Sequence, residues 1–505
     1  MSFETKSFNV VRKKKLEKSD FSVECNVELA GEIEKILSVS ARAQVENQEV
    51  LSGEINYAGA IDLRVIFLTS DGEIGTTSAV CPFTSKFENS DIQIGDCARI
   101  SVNVVNYQIG TFNMGVLKIS CQVQQEATLI ENRQLSQVQP TDAHICIKEE
   151  DVSLQTFVGT TGKTFDVQSE VSIKEPIKKF MFADSQVFVK NVDTEANFVS
   201  VSGEVVTKIL YLSQNDKFET SYITEDFKEE IEFESVTPES KIEVFADIKS
   251  NQTKFDVEEK DKSLRAAITN PVELQIFAFQ EKAECFAKDL YSTTNELQVG
   301  AESFDMTKVF DTETFDAKID GTLVLDENKP RVDKLMFVGE CSLNLTNAYV
   351  KEQEVFVEGI ASTNVVYLND ETNSLNSVLI EVPFVVSDKT KIDCEDVSVE
   401  ASALLYDVDV VVKKGREFFF DGKLKVSVDY ACDIVEAVIS NVQEGATLPE
   451  KDSGLEVYFG SEGQTAWDIA RDMRVDEDTI YSQNPDVSFP LQKDETLVVF
   501  YQKRP

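Results

Sequence analysis

From about residue 23 to residue 437 the apolar positions fall on every second residue, in short runs rich in Val, Ile, Phe and Thr. Period two puts alternate side chains on opposite faces of a strand, so this stretch predicts antiparallel β domains with one face in a core and one in water. One pattern recurs three times within it. In the second copy, Val199-Ser200-Val201-Ser202-Gly203-Glu204-Val205-Val206 leads to Ile209-Leu210-Tyr211-Leu212, a polar turn at 213–217, and Asp226-Phe227. The third copy has Val355-Phe356-Val357-Glu358-Gly359-Ile360, then Val365-Val366-Tyr367-Leu368, the turn Asn369-Asp370, and Pro383-Phe384. In the first, Leu51-Ser52-Gly53-Glu54-Ile55 precedes a longer approach through Ile66-Phe67-Leu68, the turn Ser70-Asp71-Gly72, and Pro82-Phe83.

Phe67 to Phe83 and Tyr211 to Phe227 are sixteen residues apart, and Tyr367 to Phe384 seventeen. A glycine within a strand marks a bulge or a close backbone approach, so Gly53, Gly203 and Gly359 are expected at equivalent strand positions, with Phe67, Tyr211 and Tyr367 in equivalent cores. Further strands are expected before each glycine strand, at 35–40, 186–190 and 334–341, and two after it in each copy, near 98–105, 241–248 and 397–405, then 115–122, 264–273 and 423–430. The stretches 131–163 and 283–312 are less regular and read as polar bridges.

The last fifty residues change period. Leu455-Glu456-Val457-Tyr458-Phe459 alternates as a strand, and the turn Gly463-Gln464-Thr465 opens a helix whose Thr465 and Asp468 fit a capping box. Asp476 is placed to cap a second helix, which stops at Asn484-Pro485, and Glu495 to Phe500 reads as a returning strand. The whole is a mainly β chain: three tandem antiparallel β-sandwich-like repeats over 1–140, 141–290 and 291–443, a Gly-, Pro- and charge-bearing linker over 444–454, and a small βααβ domain over 455–505. Such a linker predicts few contacts between that domain and the repeats.

The run Gly463-x-Thr465-x-Trp467-x-Ile469-Ala470 with Asn484-Pro485 closely resembles a LysM domain, and the threefold pattern of Gly strand, aromatic-Leu, turn and Pro-Phe resembles the SPOCS domain. Together they resemble the spore-coat morphogenetic proteins of Clostridia, which join the coat to the forespore surface. The resemblance implies a non-enzymatic assembly protein of the mother-cell cytoplasm and forespore surface. Its LysM module would dock on the coat basement-layer ATPase, and its repeats would supply self-association or partner surfaces. The resemblance also implies a LysM groove formed by Gly463, Gln464, Thr465 and Ala466, with Trp467 beside it, and by Asn484, Pro485, Asp486 and Val487. LysM modules characteristically hold N-acetylglucosamine glycans, so the alternative is a cell-wall or cortex protein that binds peptidoglycan or a chitin-like glycan. Ile469, Ala470 and Met473 have the better core spacing, which leaves Trp467, the only tryptophan, half exposed as an interface anchor.

Composition narrows the classes. The chain has 505 residues, too many for one core, and 49 basic against 90 acidic residues give a net charge of −41, which opposes binding to nucleic acid and to anionic membrane. No apolar leader or run of membrane-spanning length is present, so a cytoplasmic location is expected. Arg12-Lys13-Lys14-Lys15, the one basic cluster, is expected to be solvated. Nine scattered cysteines without a Cys-x-x-Cys pair read as buried thiols, with no metal or redox site. The single histidine, His144, lies two residues from Cys146 without an identifiable orienting group. No phosphate loop, nucleophile elbow or zinc-protease motif occurs, so no catalytic residue and no cofactor is expected.

Overall fold

The computed structural model describes all residues except 1, 2, 174, 250, 251, 261, 262, 373, 395, 450–453 and 502–505. Most of the linker expected at 444–454 therefore lies outside the described residues, while 444–447 continue a strand. The first repeat comprises β1 (Phe3–Lys15), β2 (Ser19–Glu28), β3 (Ile33–Leu51), β4 (Glu54–Thr69), β5 (Ile74–Glu88), β6 (Cys97–Asn113) and β7 (Val116–Pro140). The second comprises β8 (Ile145–Ile173), β9 (Ile177–Glu195), β10 (Phe198–Ser213), β11 (Phe218–Glu232), β12 (Lys241–Ile248), β13 (Lys254–Lys260) and β14 (Ser263–Ser292). The third comprises β15 (Asn295–Val324), β16 (Val332–Lys351), β17 (Glu354–Asn369), β18 (Leu375–Lys389), β19 (Val397–Lys413) and β20 (Glu417–Thr447). The C-terminal module follows as β21 (Gly454–Gly460), α1 (Ala466–Met473), α2 (Glu477–Gln483) and β22 (Glu495–Tyr501).

Each repeat packs two antiparallel sheets. A three-stranded sheet, β3-β4-β5, β9-β10-β11 or β16-β17-β18, lies on a second sheet built around one long strand, β7, β14 or β20. Alternation supplies the inward faces: Ile55, Tyr57, Ile61, Leu63 and Val65 of β4 are all buried in the first core, with Ile119, Cys121 and Val123 of β7. The mainly β expectation holds.

The structure corrects the glycine register. Gly53 occupies the turn between β3 and β4 at φ +84°, with nothing within 4 Å of a built Cβ. The true counterpart of Gly203 and Gly359 is Gly59, which precedes Phe67 by the same eight residues that separate Gly203 from Tyr211 and Gly359 from Tyr367. Across the sheet Gly59 faces Phe83, Gly203 faces Phe227 and Gly359 faces Phe384. A Cβ would stand 2.3 Å from the Gln44 carbonyl oxygen at Gly59, 2.4 Å from that of Phe188 at Gly203, and 2.7 Å from that of Asn344 at Gly359. The partner strand carries one extra residue opposite each glycine, between Val45 and Asn47, Val189 and Asn191, and Leu345 and Asn347. The bulge drives a carbonyl toward the facing strand, and only a residue without a Cβ accepts it. Phe67, Tyr211 and Tyr367 are buried as expected.

The repeats join head to tail in a ring. Arg64 Nη1 donates to the Ala183 carbonyl at 3.4 Å, Lys208 Nζ to that of Val338 at 3.1 Å, and Asn364 Nδ2 to that of Val39 at 3.3 Å. The three donors each lie five residues after the repeat's glycine, and the acceptors pair with Val65, Ile209 and Val365, each six after it. One contact is therefore made three times, from first repeat to second, second to third and third to first. Lys208 is buried and also donates to the Gly339 carbonyl at 2.7 Å. Lys208→Ala is expected to cost about 2 kcal/mol of stability through two lost charge-assisted bonds, read as a lowered urea midpoint.

The stretches 131–163 and 283–312, read from sequence as irregular bridges, are instead parts of β7, β8, β14 and β15. There Val152 and Leu154 of β8, Phe286 of β14 and Met306 of β15 meet Phe8 and Val10 of β1 and Val438 of β20 in one cluster drawn from all three repeats. Apolar residues buried against other repeats do not follow the alternation of a single sandwich, which is why the pattern was obscured. The basic cluster is only partly solvated: Lys13 is buried, Arg12 and Lys14 are half buried, and Lys15 is exposed. Arg12 pairs with Asp305 at 2.9 Å, Lys13 with Glu243 at 2.5 Å, Lys14 with Asp91, and Lys15 donates to the Val399 carbonyl. One strand of the first repeat thereby clamps the other two. Cys394 and Cys432 form a disulfide, which corrects the reading of all the cysteines as thiols. Strand pairing of Val397 with Cys432 brings these two sequence-distant residues together.

Candidate functional site

The C-terminal module is built from local signals. Thr465 caps α1: its hydroxyl accepts from the Asp468 N–H at 3.2 Å, while the Asp468 carboxylate accepts from the Thr465 N–H at 2.9 Å. The Thr465 N–H and, at 2.7 Å, its hydroxyl both donate to the Asp468 carboxylate and hold it below its usual range. The helix ends on Arg474 in the left-handed conformation at φ 54°, where the missing glycine costs about 1 kcal/mol. Asp476 stands at the start of α2 but makes no side-chain cap. Its carboxylate instead accepts from the Cys146 thiol at 3.3 Å.

The two segments expected to form the groove are each tied down. The Gly463 N–H donates to the Leu491 carbonyl at 2.8 Å, and the Leu491 N–H to that of Gln464 at 2.9 Å. Gln464 also donates to the Tyr458 hydroxyl at 3.1 Å, which donates to Asp472 at 2.6 Å. Asn484 brackets Val498, its Oδ1 accepting from the N–H at 2.9 Å and its Nδ2 donating to the carbonyl at 3.1 Å. Gly463, Pro485 and Asp486 are exposed, Gln464, Thr465, Asn484 and Val487 half buried, and Ala466 fully buried.

Trp467 departs most from expectation, being only 4% exposed. It packs edge-on against Tyr291 of the second repeat with ring centroids 4.8 Å apart, and its Nε1 donates to Asp289 Oδ2 at 2.9 Å. Arg471 donates to the same oxygen at 2.6 Å, and the Tyr291 hydroxyl to the Val475 carbonyl at 2.6 Å. Burial first, then the neighbouring Cys146 thiol, raises the Tyr291 phenol. A bulge between Ala287 and Asp289 shifts the register of β14 just before these contacts. The expectation of few contacts across the linker is thus overturned, and the residues that overturn it, Cys146, Asp289 and Tyr291, lie far from the module in sequence and carried no signal there. On the far side of the module, Leu455, Val457 and Phe459 of β21 and Val498 and Phe500 of β22 remain exposed. The apolar character of that outer face had a signal in the sequence, since 497–500 is apolar at every position, whereas a strand with one solvated face alternates.

His144 is exposed, and its neighbour Cys146 is engaged with Asp476. Among the described residues no group of three or more His, Cys, Asp or Glu is placed to hold a metal ion, and no helix is long and apolar enough to cross a membrane.

Residues 32–111 match the family model described as SipL, SPOCS domain. That supports a SPOCS-containing sporulation protein. No curated protein and no solved structure matches the chain. The matched SPOCS segment holds β3, β4, β5 and most of β6, the unit that carries Gly59 and its facing bulge. The same glycine, bulge and facing phenylalanine recur in β9–β11 and β16–β18.

Proposed function

We propose that this chain is a non-enzymatic spore coat assembly protein, in which three SPOCS repeats form a rigid ring and a LysM-like module docks on the coat basement-layer ATPase, tethering coat to the forespore surface. The observation that carries the reading is the SPOCS match over 32–111, extended by the recurrence of its glycine and bulge in the other two repeats. The order strand, helix, helix, strand with the Thr465–Asp468 capping box supports the LysM-like assignment. The docking segment is Gly463, Gln464, Thr465, Ala466 and Trp467 with Asn484, Pro485, Asp486 and Val487. The same module favours one second reading, binding of peptidoglycan or a chitin-like glycan. Pull-down on insoluble peptidoglycan against pull-down with the ATPase separates the two.

In the mother cell the protein gathers at the forespore surface. Removing residues 455–505 is expected to abolish that localisation while the ring stays folded, because the repeats keep their own cores. Imaging a fluorescent fusion through sporulation checks it, and a truncated chain that still encases the forespore would assign docking to the ring.

A further inference from the structure

We propose that the module is held closed by a latch on the second repeat, in which Asp289 and Tyr291 withhold Trp467, and that partner capture draws on the open form. The withholding rests on the reading of residues 463–467 as a docking segment. The latch itself rests on geometry alone.

In the closed arrangement the segment offers a partner mostly backbone and polar groups: Gly463, Gln464 and Thr465 on one side, Asn484, Pro485 and Asp486 on the other. Its one large aromatic is turned away and 4% exposed. Interface energy concentrates on such aromatic anchors, so hiding Trp467 removes the strongest contact the segment has. The side chains that hide it form one compact patch. From the repeat come Cys146, Asp289 and Tyr291, at the paired ends of β8 and β14. From the module come Trp467, Arg471, Asp476 and the Val475 carbonyl.

The contact suits a reversible catch. Its polar centre is a single carboxylate oxygen, Asp289 Oδ2, shared by the indole N–H and the Arg471 guanidinium. Arg471 is half exposed there, so water competes for it when the catch opens. The module keeps a core of its own, with Ile469, Ala470, Ile480, Leu491, Leu497 and Val499 all buried, so leaving the repeat does not require the module to unfold. A partner that uses Trp467 meets only the open fraction, and its apparent Kd rises by the inverse of that fraction.

Trp467 is the only tryptophan, so its fluorescence in the full-length chain reports on the latch without labelling. Asp289→Asn and Tyr291→Ala, made separately, are expected to raise the open population roughly tenfold each, because each removes a charge-assisted or buried hydrogen bond. The readout is acrylamide quenching of Trp467 together with a red shift of its emission. A second variant separates opening from unfolding. Asp476→Cys places a thiol beside Cys146, and oxidation should cross-link the pair and return quenching in the Tyr291→Ala chain to the wild-type level. Unchanged quenching in both single variants overturns the latch, as does quenching that stays high after the cross-link has formed. If the variants open as expected while neither the ATPase nor peptidoglycan is bound by any form, the docking-segment reading fails and the latch stands.

Discussion

Gly59→Ala is expected to destabilise the first repeat by about 3 kcal/mol, at the upper end of overpacking effects. The new methyl would lie 2.3 Å from the Gln44 carbonyl oxygen and 2.6 Å from the tip of the Phe83 ring. A ring can swing aside, but the carbonyl belongs to a bulged strand whose other bonds fix it. Gly53→Ala tests the alternative register in the same repeat. Its φ of +84° strains any side chain, but nothing lies within 4 Å of the added carbon, so about 1 kcal/mol is expected. Urea midpoints of the two variants give the comparison, and adding Phe83→Leu to Gly59→Ala should recover only the share due to the ring. Equal losses at the two positions would mean that Gly59 carries no special packing constraint.

Lys13→Met is expected to cost about 3–5 kcal/mol, because it strands the Glu243 carboxylate in the ring without its partner. Both side chains of that pair are at most 5% exposed, and Glu243 Oε2 already lacks a hydrogen-bond partner. Replacing both, as Lys13→Met with Glu243→Leu, should return most of the loss, since two apolar side chains need no compensation there. The same pair gives the ring a pH dependence. Burial pushes the Glu243 carboxyl up, Lys13 pulls it back, and the nearby carboxylates of Asp429 and Glu400 add to the push. Folded protein therefore keeps a proton on Glu243 at pH values where an unfolded glutamate has lost it. The stability this contributes is complete below the ordinary glutamate pKa of about 4.3 and is lost as pH rises through the higher folded value. Asp429, also raised by burial, adds a slope of the same sign. Glu400 opposes it at lower pH: burial pushes it up, but Arg99, Lys13 and the Thr128 hydroxyl outweigh burial and hold it at about 2, so its contribution is present above the ordinary range and lost in acid. Between pH 5 and 8 the wild type should lose stability relative to Glu243→Gln, and parallel urea-midpoint curves would show that Glu243 does not titrate there.

By itself the sequence determined what adjacent residues decide. Alternation along β4, β10 and β17 announced strands and their buried faces, because a strand's inward side chains are two residues apart whatever it pairs with. Thr465 and Asp468 announced a helix start because both partners of the capping box lie within one turn. The eight-residue interval from glycine to aromatic was also present at Gly59, but Gly53 sits in a glycine-bearing approach of similar look, and choosing between them needed the carbonyl of Gln44 on the neighbouring strand. Only the tertiary structure decided the rest. Lys13 meets Glu243 across 230 positions and Trp467 meets Asp289 across 178. A charge or an indole carries no local mark of the partner that will desolvate it, so the closing of the ring, the burial of Lys13 and the docking of the module follow from packing between repeats and not from any pattern within one.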